Sequence, residues 1–199
     1  MNVLLIGATG TVGRAVRNVL LTETTNQLTL FSRHASQLSI DTTREHAISG
    51  NVNSDTDLKN ALKGQDVVFA ALSGNLKSMA KSIVQAMDEE HVSRLLFITS
   101  MGIYNEIPSS VGAGGNLKSN LILQSYRDAA DVIESSDLNY TIIRPGWFDH
   151  GDPAYEITHK GEPFGGHDVA VEAIADLVKR LVEDSTLGSR DSLGINRPE

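Results

Sequence analysis

The apolar positions along the chain follow two periods in turn. Short apolar runs at 3–6, 28–31, 66–71, 95–99 and 140–143 read as buried strands. A weaker apolar pair, Ala47 and Ile48, marks one more strand after the second of these. Between the runs the period changes to that of a helix. Residues 10–21, 55–62 and 121–135 carry such patterns. Leu76, Met79, Ala80, Ile83, Val84 and Met87 share one helical face, and Ile174, Leu177, Val178 and Leu181 share another near the end of the chain. Strand–helix alternation of this kind predicts an α/β fold, a doubly wound parallel sheet with helices on both faces. The 199 residues suit a single domain over 1–199, with a small substrate-side segment from about 145 to 199. In such a sheet ligands bind beyond the carboxyl ends of the strands, so functional residues are expected just after Ile6, Phe31, Ala71, Thr99 and Ile143.

One stretch departs from both periods. Residues 109–120, SSVGAGGNLKSN, are small and polar and read as a mobile loop after the fifth strand. It is not a Walker phosphate loop, because it holds no Gly-Lys pair and does not follow the first strand. Composition narrows the function further. The chain has no cysteine, which excludes disulfides, thiolate zinc sites and cysteine nucleophiles. Net charge is −8 and the 17 Lys and Arg are scattered, so direct nucleic-acid binding is disfavoured. No apolar stretch reaches the roughly 20 residues of a membrane span. The first residues carry no basic-then-apolar leader, so a cytoplasmic protein is expected. The six histidines show no His-Glu-x-x-His spacing, so no metal site is expected. No Gly-x-Ser-x-Gly elbow is present, which argues against a hydrolase. The expected partner is a small-molecule substrate, with a homodimer open as an assembly.

The first strand runs into Gly7-x-x-Gly10-x-x-Gly13 and then into a helix. That context gives each glycine a role. The first permits the sharp turn, the second lets backbone approach a pyrophosphate, and the third lets the helix pack on the sheet. Free N–H groups at the helix start then face the phosphates. Thr9, Thr11 and Val12, between the glycines, complete the candidate cradle, with the two hydroxyls as extra donors.

Several stretches together carry a resemblance: GATGTVG, the LFSR after the second strand, DVVFAAL, FITSMG and LNYTIIRPGWF, spanning residues 2 to 148. The tail GEPFGGHDVAVEAIADLVKRLVED matches as well. The chain resembles the atypical short-chain dehydrogenases/reductases of the NmrA-like, NAD(P)-binding group, and is similar to flavin reductase and biliverdin reductase B-like proteins. The resemblance implies a Rossmann fold and a nicotinamide cofactor. The second strand ends in Phe31-Ser32-Arg33-His34, with no acid to accept from a ribose 2′-hydroxyl. Arg33 can pair with a 2′-phosphate and Ser32 can donate to it, which favours NADP (NADPH) over NAD. By resemblance, Asn51 and Val52 flank the adenine, although the family has Asp where this chain has Asn51. Ala70, Ala71 and Leu72 are small or apolar and let the cofactor approach the fourth strand. Resemblance also places Thr99 and Ser100 near the nicotinamide, with Ser100 able to bond a substrate carbonyl. It makes Pro145, Gly146 and Trp147 shape the nicotinamide pocket, with Trp147 and Phe148 walling the substrate.

The departure from the family is catalytic. Short-chain reductases use a Tyr-x-x-x-Lys pair, in which the lysine lowers the tyrosine pKa for proton transfer. Here those positions fall at Ile122 and Tyr126. Flavin or quinone reduction needs mainly hydride, with the proton from solvent; otherwise Tyr104 or His150 is the candidate donor. The expected function is hydride transfer from NADPH to a small acceptor such as a quinone, flavin or aldehyde. The alternative is a non-catalytic NADP(H) redox sensor acting through a protein partner. A nucleotide-sugar epimerase is disfavoured, because only about 50 residues follow the Arg-Pro-Gly.

Overall fold

The computed structural model describes residues 1–198. Its strands are β1 (Asn2–Ile6), β2 (Gln27–Ser32), β3 (Glu45–Ser49), β4 (Val67–Ala70), β5 (Arg94–Ile98), β6 (Asn139–Pro145), β7 (Trp147–Asp149), β8 (Glu156–Thr158), β9 (Asp168–Ala170) and β10 (Asp191–Asn196). The helices are α1 (Thr11–Glu23), α2 (Asp55–Leu62), α3 (Leu76–Glu89), α4 (Gln124–Glu134) and α5 (Val171–Glu183). The main sheet runs β3-β2-β1-β4-β5-β6-β10-β8, and β7 pairs with β9 in a small second sheet. All neighbours in the main sheet are parallel except β8, which lies antiparallel to β10. The doubly wound order reverses between β1 and β4, which opens the crevice where such sheets bind ligands.

The all-apolar strands are buried because helices cover both faces. On one face Leu58, Ile83, Met87, Ala130 and Ile133 of α2, α3 and α4 close a core over Leu4, Val68, Leu95 and Ile142. On the other, Val16 and Leu20 of α1 and Ile174, Leu177, Val178 and Leu181 of α5 close a core over Leu5, Phe69, Leu96 and Ile143. Caps begin two of these helices: Ser54 Oγ accepts from Asp57 N, and Asn75 Oδ1 accepts from Ser78 N.

Three expectations need correction. The segment 121–135 is not one helix: a 3-10 turn over Leu121–Leu123 precedes α4. The stretch 109–120 is not slack. Buried Asn116 exchanges two hydrogen bonds with the Ile107 backbone, and Leu117 N donates to Gly102 O. The stretch 145–199 is not a separate segment throughout, because α5 and β10 belong to the main layers. The strand β10 has no continuous apolar run, since its inserted Ser192 serves the buried guanidinium of Arg144 next door.

Candidate functional site

At the end of β1 the chain turns through Gly7 at φ +88°, and a Cβ there would overlap the carbonyl oxygen of Ala71, just beyond β4. A Cβ on Gly13, in the first turn of α1, would overlap the Gly7 carbonyl oxygen. The helix start is therefore pressed onto the turn, at the point where the strand order reverses. A cleft of about 640 Å³ opens there. Gly7, Thr9, Gly10, Thr11, Val12 and Gly13 form its floor. Ser32 and Arg33 border it after β2, Asn51 and Val52 after β3, Ala71 and Leu72 after β4, and Thr99 after β5.

The β2 end is prepared for an anion. Arg33 is exposed at the cleft, and Ser32 Oγ is buried without a hydrogen-bond partner among the described residues. A buried hydroxyl left unpaired is costly unless a ligand satisfies it. Asn51 is partly engaged: its Oδ1 accepts from Asn53 N at 3.0 Å, while its own N–H donates to Asp57 Oδ2 at 2.9 Å. The glycine cradle, the unpaired hydroxyl and the free guanidinium fit a phosphorylated dinucleotide.

A second cavity of about 500 Å³ is lined in part by chain neighbours of residues in the cleft. Thr99 lines the cleft and Ser100 the cavity; Phe148 lines the cleft and Trp147 the cavity; Tyr126 lines the cleft and Leu123 the cavity. Trp147 is 67% exposed and stacks on His167, with ring centroids 6.2 Å apart and planes within 8°. His167 Nδ1 is held 2.7 Å from Asp168 Oδ1. Met101, Ile107 and glycines of the 109–120 stretch complete the lining.

A buried ion pair fixes the loop that carries this cavity. Glu106 Oε1 accepts from Arg144 Nη1 at 2.6 Å and from Gly102 N at 3.0 Å, and Oε2 accepts from Tyr104 N at 2.9 Å. Arg144 also donates to Ser192 Oγ and O. β6 and the loop after β5 thus form one unit.

The structure does not bring every expected residue to the site. Tyr104 borders neither cavity. Its hydroxyl donates to Glu134 at 2.6 Å, and its ring lies among Arg127, Arg144 and Lys160. Burial, then the Glu134 carboxylate, pushes its phenol pKa well up, so it holds its proton. His150 is exposed and 3.1 Å from Glu172 Oε1, outside both cavities. Ala70 is buried inside β4. Pro145 and Gly146 line neither cavity: Gly146 N donates to Ile195 O, and Pro145 O accepts from Met101 N. His34, Ser73, Met79 and Tyr126 in the cleft, and His167 in the cavity, were not among the expected residues. His34 follows Arg33 directly and was legible, and Tyr126 stands at the position of the family's lysine; nothing local singled out Ser73, Met79 or His167.

Comparison with known proteins follows this geometry. The chain matches the model of a family described as NAD(P)H-binding over residues 7–185. No curated protein matches it. Among solved structures it is similar to a Rossmann-fold NAD(P)-binding family protein from Shigella flexneri, at 36% identity and a TM-score of 0.85, covering 99% of this chain and 93% of that one. It is also similar to a wide-type short-chain dehydrogenase/reductase from Veillonella parvula solved in complex with NADP, at 27% identity and TM-score 0.90, covering 99% and 94%. The fold alone is shared with an anaerobillin reductase from Escherichia coli O157:H7, at 17% identity and TM-score 0.83, covering 100% and 98%. The glycine turn at the crevice and the family match over 7–185 agree, and the chain belongs to the NAD(P)H-binding family of Rossmann-fold proteins.

Proposed function

We propose that the protein is an NADPH-dependent reductase that passes hydride to a small, flat acceptor of the quinone, flavin or aldehyde type. The observation that carries this reading is that neighbouring residues line the cleft and the cavity in turn: Thr99 and Ser100, Phe148 and Trp147, and Tyr126 and Leu123. A cofactor in the cleft and an acceptor in the cavity would meet where the two adjoin.

Arg33 and Ser32 hold the 2′-phosphate, and the N–H groups at the start of α1 hold the pyrophosphate. Bound NADPH supplies two electrons and one hydrogen as hydride. Trp147 and His167 present flat rings to the acceptor; Ser100 also lines the cavity, with its Oγ donating to Met101 O at 3.0 Å. Ile122 stands where related reductases carry the acidic tyrosine, and Tyr104 is committed to Glu134. The proton that balances the hydride therefore comes from water at the exposed Trp147 side of the cavity.

The test is NADPH oxidation at 340 nm with benzoquinone, FMN and an aromatic aldehyde in parallel. Turnover with at least one supports the reading. Tight NADPH binding with no turnover on any of them favours the second reading, a redox sensor, for which the missing acid pair is the specific observation.

A further inference from the structure

Among the described residues, the large apolar side chains left exposed are Met1, Leu121, Ile122, Trp147 and Phe148. Single exposed apolar residues are ordinary, whereas a group of them at the mouth of a cavity marks a binding surface. Four of these five border the second cavity. Trp147 lines it, and Phe148 beside it lines the cleft. Leu121 and Ile122 stand in the chain between Asn120 and Leu123, and both of those line the cavity.

The exposure of Leu121 and Ile122, at 77% and 80%, is built into the turn that carries them. They belong to the 3-10 turn over Leu121–Leu123, which has about three residues per turn. Leu123 goes into the core. At the other end Asn120 Oδ1 accepts from Ile122 N at 3.3 Å. Both ends of the turn are thus held, and the two side chains between them face water. The cavity they border has no Lys, Arg, Asp or Glu in its lining. A protein partner on this rim would need roughly 20–30 residues a side, far more than four. The net charge of −8 opposes an anionic lipid surface.

We propose that Leu121 and Ile122, together with Trp147, grip an uncharged apolar substituent of the acceptor while its ring lies in the cavity. The inference rests on the reductase reading above and narrows its acceptor. That acceptor is a quinone or aldehyde ring carrying an alkyl chain. FMN fits less well, because the cavity lining offers no lysine or arginine to its phosphate.

Three 1,4-benzoquinones test this: one with a methyl substituent, one with a hexyl chain, and one with a chain of the same length ending in a carboxylate. Trp147 is the single tryptophan, so quenching of its fluorescence reads binding, with NADP⁺ present so that no hydride is available. NADPH oxidation at 340 nm gives KM for the same three. Both readouts are taken on the wild type and on Leu121→Ser/Ile122→Ser. The replaced side chains are exposed, and an unchanged thermal midpoint verifies the fold of the variant.

The wild type is expected to bind the hexyl quinone about tenfold more tightly than the methyl one, with KM following and no such gain from the carboxylate chain. In the variant the hexyl advantage is expected to shrink to about twofold. Turnover with no hexyl advantage, or with an equal advantage in both proteins, overturns the proposal and leaves the reductase reading standing. An equal gain from the carboxylate chain overturns it as well. So does a wild-type dimer that the double substitution dissociates without any hexyl advantage, because the rim is then covered by a second copy of the chain. A wild type that turns over none of the three overturns the reductase reading itself, and the acceptor assignment with it.

Discussion

The cleft and the second cavity draw on neighbouring residues, yet they are built in different ways. Much of the cleft is a series of turns at the ends of consecutive parallel strands: 7–13 after β1, 32–34 after β2, 50–53 after β3 and 71–73 after β4. Each turn is placed by the strand it leaves. The cavity gathers Ser100, Met101, Ile107, Leu123, Trp147 and His167, together with glycines of a long loop. Its shape depends on ties between segments far apart in the chain, above all the buried pair Glu106–Arg144. The lesson is one of coupling. Damage to the cavity is expected to spread into the core of the sheet, and damage to a strand-end turn is expected to stay local.

The sharpest break is at Glu106. Glu106→Ala leaves Arg144, whose side chain is fully buried, without its partner carboxylate. A loss of about 3–5 kcal/mol in urea unfolding is expected. A loss below about 1 kcal/mol would show that the cavity is as loosely tied as a surface loop. Next is Arg33→Ala in the cleft. NADPH affinity is expected to fall about tenfold or more, with NADH affinity and unfolding midpoint unchanged. Equal losses for both cofactors would remove Arg33 from the 2′-phosphate.

Trp147→Ala tests the acceptor side alone. The side chain is mostly exposed, so stability changes little, while KM for a quinone rises about threefold to fivefold and NADPH affinity holds. A fall in NADPH affinity would mean that Trp147 serves the cofactor as well as the acceptor. The smallest effect is expected at His159, which lies outside both cavities and is 2.6 Å from Asp191 Oδ2. The hydrogen bond to Asp191 raises its pKa above the ordinary value of about 6.5. A raised folded pKa means that this stabilisation is full below about pH 6.5 and fades as pH climbs through the folded value. The pair is exposed, so the amount is only about 0.3 kcal/mol. His159→Gln is expected to flatten that slope in pH-resolved unfolding, with cofactor affinity untouched.

Position in the chain explains what was legible. The glycine turn, Ser32-Arg33 and Thr99-Ser100 all follow apolar runs directly, so finding the strand finds residues that line the cleft or the cavity. Three expected residues line neither space: Ala70 lies inside β4, and the Pro145-Gly146 backbone is bonded to β10 and Met101. Tyr104 and Tyr126 look alike in sequence: each lies after the fifth strand, and neither has a lysine four residues on. Only packing sends one phenol to Glu134 and the other into the cleft. His167 stands nineteen residues past Phe148 and gives no local sign of its place, because β9 carries it back beside Trp147 through pairing of Trp147 with Asp168.

By itself, then, the sequence determined the α/β alternation, the parallel sheet and the glycine turn between β1 and α1. Those features depend on hydrophobic period and on glycine sterics within a few residues. The tertiary structure alone decided that β10 joins the sheet beside β6, that Glu106 and Arg144 tie the loop down, and which tyrosine lines the cleft. Each of these depends on contacts across dozens of residues, where burial and desolvation of charge outweigh any local preference.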